Sequence, residues 1–294
     1  MKQLRASVIE MRWLILVLLA TPALAEHHKA VLVEPPKIEY TNDPVVGKAA
    51  RVNGEETHGV VAFTFDDGPN PETTPAVLDA LAKYNIPATF FIVTRRLAGE
   101  KAHEILAREM ADGHMVASHS VSHPNLKKAD AKQLDKEVDA SLKTLSTEAK
   151  RPIGMFRAPF GALGAAGRVR LKHLGVTEVY WSVDTRDWEA HHADKLRKKV
   201  IGMILKQNGG VVLMHDVKPI TAKIVAEVFD DLEAENCRRL ANKEEPIWPV
   251  TLHYFLRDGK APRVVPEDVA KRVEAYKAAL PARCAKRPSE PPKP

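Results

Sequence analysis

An α/β fold of parallel strands joined by crossover helices, either an open sheet or a closed barrel, is what this sequence predicts. Three observations point there. Short β-branched or aromatic runs alternate at least six times with segments of helical period. Clusters of Asp, His and Arg follow five of the strand candidates, always at the C-terminal end. There is no internal repeat, and Gly161-Ala162-Leu163-Gly164 lacks the spacing and the lysine of a phosphate loop.

Along the chain, residues 60–65 (VVAFTF) predict a buried strand, and Pro71 to Tyr84 a helix with Val77, Leu78 and Leu81 on its apolar side. Residues 88–93 (ATFFIV) predict a second strand. Lys101 to Asp112 predicts a helix stopped by Gly113, and residues 114–118 (HMVAS) a short third strand. Asp130 to Ala149 is a long amphipathic helix with Leu134, Val138, Leu142 and Leu145 on one stripe. A short strand falls at Gly154 to Phe156, and a helix at Ala165 to His173 ends at Gly175. Residues 176–183 (VTEVYWSV) predict one strand, Ala193 to Gln207 a helix, 211–214 (VVLM) a strand and Pro219 to Asn236 a helix. Residues 247–252 (IWPVTL) predict a last strand, placed at an edge by Pro249. Pro266 to Ala279 predicts a terminal helix.

The ends of the chain differ from the middle. Lys2, Arg5 and Arg12, the apolar run Trp13 to Ala20 and Ala23-Leu24-Ala25 read as a signal peptide over residues 1–25, cleaved before Glu26. The run is well short of the ~20 residues of a spanning helix, and no other stretch is long and apolar enough to cross a bilayer. Export to the periplasm or beyond is expected. Residues 26–57 read as an extended arm, 58–256 as the α/β domain, and 257–294 as a helix with a Pro/Lys-rich tail. The whole chain of 294 residues carries a net charge of +6. The leader takes three basic residues and one acidic, which leaves +4 on residues 26–294. That suits a protein near an anionic envelope; without clustered arginines among aromatics it gives no case for nucleic acid. The two cysteines, Cys237 and Cys284, suit one disulfide in an oxidising compartment.

The polar clusters carry the chemistry. They are Asp66-Asp67-Gly68, His119-Ser120-Val121-Ser122-His123, Arg157-Ala158-Pro159-Phe160-Gly161, Asp184 to Trp188, and His215-Asp216. In a barrel of parallel strands these ends share one face. His119 and His123 are four apart, which one helical turn would set on the same side. With a carboxylate from Asp66-Asp67 they make a set of two histidines and one carboxylate, leaving open positions for water and substrate. Each motif alone is weak: Asp-Gly marks turns everywhere, and a lone histidine pair is commonly a solvated loop. The adjacent aspartates suggest that one holds a metal and the other takes a proton from the attacking water. Amide hydrolysis also needs an acid for the leaving amine. His215 suits that role if Asp187 or Asp184 holds its other ring nitrogen.

In this set and order the motifs resemble the polysaccharide deacetylase family, also called the NodB-homology group or carbohydrate esterase family 4. The stretch TFDDGPNPETTPAVLDALAKYNIPATFFIV is similar to its first motif and the segment beyond it. The other four clusters, with Leu213-Met214-His215 as the fifth, resemble the remaining motifs. The resemblance covers about residues 58–256. It implies a distorted (β/α) barrel with a shallow glycan groove. It implies Asp66 as base, Asp67, His119 and His123 as ligands of one divalent metal, and Arg157 as the group that orients Asp66. It also implies the Phe160 backbone N–H, beside Pro159, as oxyanion donor, His215 as acid with Asp187 as its partner, and Leu213 and Trp188 lining the acetyl pocket and groove. Zinc is the expected ion; cobalt, nickel and iron suit the same ligands. The implied activity removes N-acetyl groups from a glycan such as peptidoglycan or a chitin-like polymer. The alternatives are an O-acetyl esterase of the same fold and a non-catalytic glycan-binding module. Phe160 departs from the family, which usually has tyrosine there, so a hydroxyl contact to sugar is lost.

Overall fold

The computed structural model describes residues 47, 48 and 51–287. The expected signal peptide, most of the arm and the tail from residue 288 lie outside the described residues. No described helix is long and apolar enough to cross a membrane.

The alternation is realised as β1 (Val60–Asp66), α1 (Thr74–Tyr84), β2 (Ala88–Ile92), α2 (Glu100–Ala111) and β3 (Met115–Ser118). One long helix comes next, made of α3 (Ala131–Leu134), a π-helical turn (Asp135–Asp139) and α4 (Ala140–Glu148). Then come β4 (Met155–Phe156), α5 (Ala165–Leu174), β5 (Thr177–Glu178), β6 (Val183–Asp184), α6 (Ala193–Gln207), β7 (Gly209–His215), α7 (Pro219–Ala241) and β8 (Trp248–Pro249). A small antiparallel pair, β9 (Arg257–Asp258) and β10 (Ala261–Pro262), precedes α8 (Glu267–Lys286).

The main sheet is parallel throughout, in the order β5-β4-β3-β2-β1-β7-β6, with β8 beside the first residues of β1. It curls into a half-barrel with helices outside. Its central strands are buried on both faces, which is why they read as apolar runs. The strand period of two divides their side chains. Val61, Phe63 and Phe65 of β1 pack outward against the helices. Ala62 packs inward with Phe91, Met115, Ala117, Met155 and Val211, and Val250, Leu252 and Phe255 close this inner cluster. Asp66 shares the parity of Ala62, so the same alternation turns it into the mouth of the barrel.

The single strand expected over 176–183 is two strands. Thr177–Glu178 pairs with β4 at one edge of the sheet, and Val183–Asp184 pairs with β7 at the other. Residues 179–182 cross between the edges, so these are held within about 17 Å, the reach of five extended residue steps. The backbone of the crossing is occupied elsewhere: Tyr180 N donates to Val52 O, and Arg157 donates to the carbonyls of Val179 and Tyr180. Val52, read as part of a loose arm, is buried and bridges Val179.

Two further expectations had the wrong length: the strand expected over 247–252 is only the two residues of β8, and the terminal helix is longer than Pro266 to Ala279. In β8, Trp248 N and Val250 N donate to Gly59 O and Val61 O, so Pro249 falls where no donor is needed. The last helix runs past Pro281 to Lys286. It is tied to α7 by the Cys237–Cys284 disulfide, Cα–Cα 5.4 Å, and by the Arg283–Glu233 ion pair at 3.1 Å.

Candidate active site

All five clusters lie at the C-terminal ends of the parallel strands. Asp67 follows β1 in a left-handed conformation, φ 79°. His119 and His123 follow β3, but not on a helical turn as their spacing suggested. They sit in a loop with left-handed residues at Ser120 (φ 71°) and His123 (φ 64°). His123 N donates to Ser120 Oγ at 2.9 Å, which closes the loop. The imidazoles thereby meet Asp67: His123 Nε2 is 3.1 Å and His119 Nε2 3.6 Å from Asp67 Oδ1. One ligand atom from each of the three lies within 4.8 Å of the other two.

This trio has the donor chemistry of a cation site. The His119 Nδ1–H donates to Arg157 O at 2.7 Å, which leaves the Nε2 lone pair facing Asp67. Burial lowers the His119 pKa to about 3, so its ring is neutral. Asp67 Oδ1 is buried with no hydrogen-bond partner. The His119 lone pair and an unpartnered carboxylate oxygen turned toward each other repel unless positive charge lies between them. The residues present therefore fit a divalent cation.

Asp66 and Arg157 form a second unit, below the trio. Arg157 is fully buried, which excludes the surface ion pair that its side chain would ordinarily make. It donates from Nη1 to Asp66 Oδ1 at 2.7 Å and to Thr64 Oγ1 at 2.8 Å. Its Nη2 donates to Tyr180 O at 3.1 Å, and the guanidinium lies 4.0 Å from the centre of the Phe91 ring. Burial raises the Asp66 pKa, and the Arg157 charge opposes that rise.

His215 and Asp187 form the third. Asp66 and His215 are register neighbours on β1 and β7, so their side chains emerge side by side. Asp187 Oδ1 accepts from His215 Nδ1 at 2.7 Å; Oδ2 accepts from His215 N at 2.7 Å and from Thr221 Oγ1 at 2.5 Å. Asp184 is engaged elsewhere, accepting from Arg186 N. Burial alone would lower the His215 pKa, but the Asp187 hydrogen bond and charge, with Asp66 and Asp67 beyond, raise it to about 9.

The rim is apolar. Phe160, in a short turn at φ 58°, is 69% exposed and meets His123 edge-on at 4.6 Å. Pro159 before it is buried. Leu213 is buried and is the register neighbour of Thr64. Trp188 is 53% exposed one residue beyond Asp187, with the Arg186 guanidinium over its ring.

The family model described as polysaccharide deacetylase matches residues 53–179. A chitooligosaccharide deacetylase of Bradyrhizobium sp. (strain ANU 289) is 34% identical over 174 residues, 58% of this chain and 78% of that protein. The chain belongs to the polysaccharide deacetylase family. The peptidoglycan-N-acetylglucosamine deacetylase PgdA of Listeria monocytogenes is 31% identical over 64% of this chain, which spans only 39% of that longer protein. Among solved structures, peptidoglycan deacetylase PdaC from Bacillus subtilis superposes with a TM-score of 0.54 at 26% identity, covering 79% of this chain and 99% of that one. The family 4 carbohydrate esterase from Streptomyces lividans, in complex with acetate, gives 0.56 at 26%, covering 72% and 100%. The protein is a polysaccharide deacetylase-type hydrolase, built as the barrel that the resemblance implied.

In this deacetylase fold some residues that shape the site were not singled out by sequence. Glu137 is the main one. Its carboxylate accepts from Ser122 N at 2.8 Å and Ser122 Oγ at 2.7 Å, and its carbonyl accepts from Val121 N at 3.1 Å. It lies in the π-helical turn, where the widened backbone frees carbonyls for outside partners. A glutamate beside Val138 on a buried stripe was the available signal. Thr221, at the start of α7, is the other, through its bond to Asp187.

Proposed function

We propose that the chain is a metal-dependent hydrolase that removes acetyl groups from N-acetylglucosamine units of an envelope glycan, with residues 58–256 as its catalytic domain. The observation that carries this is the meeting of three units at one barrel mouth: the Asp67–His119–His123 trio, the Asp66–Arg157 pair and the His215–Asp187 pair.

Asp67, His119 and His123 would hold the divalent ion, zinc before cobalt, nickel or iron. When bound, the ion supplies Lewis-acid polarisation of the acetyl carbonyl and acidification of the attacking water. Asp66 takes the proton from that water. Arg157 keeps the buried Asp66 ionised and fixes its orientation, and the ring of Phe91 supports Arg157. The Phe160 backbone N–H, placed by Pro159, stabilises the charge that develops on the acetyl oxygen. His215 Nε2, protonated because Asp187 holds Nδ1, gives its proton to the departing amine nitrogen. Leu213 borders the acetyl group, and the exposed rings of Phe160 and Trp188 offer apolar faces to sugar. The names of the Bradyrhizobium and Listeria relatives support an N-acetylated glycan. A disulfide persists in oxidising compartments, which supports export to the periplasm or the extracellular space.

The Streptomyces likeness favours a second reading, hydrolysis of O-acetyl esters. An alkoxide leaves more easily than an amine, so ester turnover would depend less on His215. The test is acetate release from N-acetylated chito-oligosaccharides and from peptidoglycan, with metal loaded, with metal stripped by chelator, and in Asp66→Asn. Release that requires metal and is lost in Asp66→Asn is the expected result. No release from either glycan by protein that binds metal would sink the amide reading and leave the ester one.

A further inference from the structure

Charge is distributed unevenly around the barrel mouth. Surface arginines elsewhere are mostly paired: Arg197 with Asp231 at 2.7 Å, Arg238 with Glu235 at 2.8 Å, Arg170 with Asp139 at 2.6 Å. Beside the metal trio the pattern changes. A cleft of ≈ 260 Å³ is lined by Asp67, Val93, Arg95, Arg96, Ser122 and His123. Arg95 and Arg96 are exposed there, and neither side chain has an ion pair with another described residue.

The basic run continues past the site. The Phe160 ring, against His123, borders a second cleft of ≈ 560 Å³ that includes Lys127 and Arg168. Arg168 also lines a third cleft, with Arg51 and Lys172, which lies at the other end of the sheet, where α5 leads into β5. Arg51 and Arg168 share Glu178, at 3.8 and 3.1 Å. Asp258, the other acid in the third cleft, is held by Arg263 at 2.7 Å. Lys127 and Lys172, like Arg95 and Arg96, form no ion pair among the described residues. Three cations without an ion pair among the described residues, Arg95, Arg96 and Lys127, thus flank the mouth.

A neutral glycan has no use for such charges, which repel one another and raise the local potential. A glycan carrying carboxylates does, and the paired forks of Arg95 and Arg96 match carboxylate geometry. We propose that the two clefts at the mouth, one holding Arg95 and Arg96 and the other Lys127, form a binding track for carboxylate-bearing sugar units, so that the substrate of the site is an acidic polysaccharide. This rests on the deacetylase reading.

The test uses three N-acetylated glycans of equal length: a neutral chito-oligosaccharide, an oligosaccharide whose alternate sugars bear lactyl carboxylates, and the latter with its carboxyls amidated. Wild type is expected to favour the carboxylated glycan through a lower KM, and to lose that preference on amidation or at about 0.5 M salt. Arg95→Gln/Arg96→Gln should raise KM on the carboxylated glycan by about tenfold, leaving its kcat and the neutral kcat/KM unchanged. Lys127→Gln should act in the same direction more weakly, and Lys172→Gln, at the far end of the sheet, should leave KM on all three glycans unchanged. Equal treatment of all three glycans by wild type, or an equal loss on all three in the arginine variant, overturns the track. Binding of the carboxylated oligosaccharide to the full-length Asp66→Asn protein separates the two proposals. Salt-sensitive binding that Arg95→Gln/Arg96→Gln abolishes, with no acetate released by wild type, keeps the track and removes the deacetylase reading. Binding indifferent to carboxylates removes the track.

Discussion

Two of the carboxylates at the barrel mouth are each paired with a cation, and the two pairs differ in which partner can move a proton. Asp66 meets Arg157, a cation that cannot give up its proton, inside the barrel under the metal trio. Asp187 meets His215, a cation that can, on a side chain that reaches the surface of the mouth. On the proposed mechanism the carboxylate of the first pair is the working group and the arginine its support. In the second the carboxylate is held by three donors, and the same mechanism makes it the support and the histidine the working group. One pair would then supply a base and the other an acid, by exchanging which partner is immobile.

The most damaging way to break this contrast is to remove the immobile cation. Arg157→Met leaves Asp66 buried without a counter-charge and strips donors from Thr64, Val179 and Tyr180. Breaking a buried pair from one side costs about 3–5 kcal/mol, so a fall of that order is expected in urea unfolding. Burial already raises the Asp66 pKa and Arg157 opposes it, so the acid limb of the pH–rate profile should also move upward. Arg157→Met combined with Asp66→Asn should recover part of the stability. If the double variant is no more stable than Arg157→Met alone, the two residues are not the coupled unit described.

Asp187→Asn attacks the other pair, with a smaller effect on stability and a different one on pH. Without the carboxylate the His215 pKa should fall from about 9, drawing the alkaline limb of amide hydrolysis downward. Loss of a positioned acid should cost about 10²–10⁴ in turnover at pH 8, and less on an acetyl ester. The folded pKa lies above the ordinary histidine value of 6.5. The stabilisation is therefore complete below pH 6.5 and lost as pH rises through about 9. Wild type should show that decline in its urea midpoint between pH 6 and 10, and Asp187→Asn should flatten it. An unchanged alkaline limb would remove Asp187 from its supporting role.

The legibility of the sequence obeys the same division. Groups placed by strand ends were legible: Asp66 and Asp67 follow the run VVAFTF, and His215 ends the apolar run of β7. Contacts made by backbone were not. The run VTEVYWSV has the composition of one strand, yet Arg157 and Val52 engage its middle and send its halves to opposite edges of the sheet. The spacing of His119 and His123 imitates a helical turn, while two left-handed residues bring the rings together in a loop. A period in sequence reports which face a side chain takes, but not which carbonyl is free to receive an outside donor.

Glu137 provides the finest test, because it touches neither pair. It grips the loop between the two histidines through Ser122 and Val121, from a helix turn widened to offer its carbonyl. Outer partners of metal ligands set ligand orientation, and their loss typically costs 10–100-fold in affinity. Glu137→Gln keeps the size and one acceptor but loses the charge that two Ser122 donors share. Zinc affinity, measured by competition with a chelating dye, should fall by about tenfold, while His215 keeps its alkaline limb. Glu137→Ala should weaken zinc further. A Gln variant with wild-type affinity would mean that the left-handed backbone at Ser120 and His123 holds the loop by itself. A Gln variant that instead moved the alkaline limb would mean that the metal trio and the acid pair are not independent units.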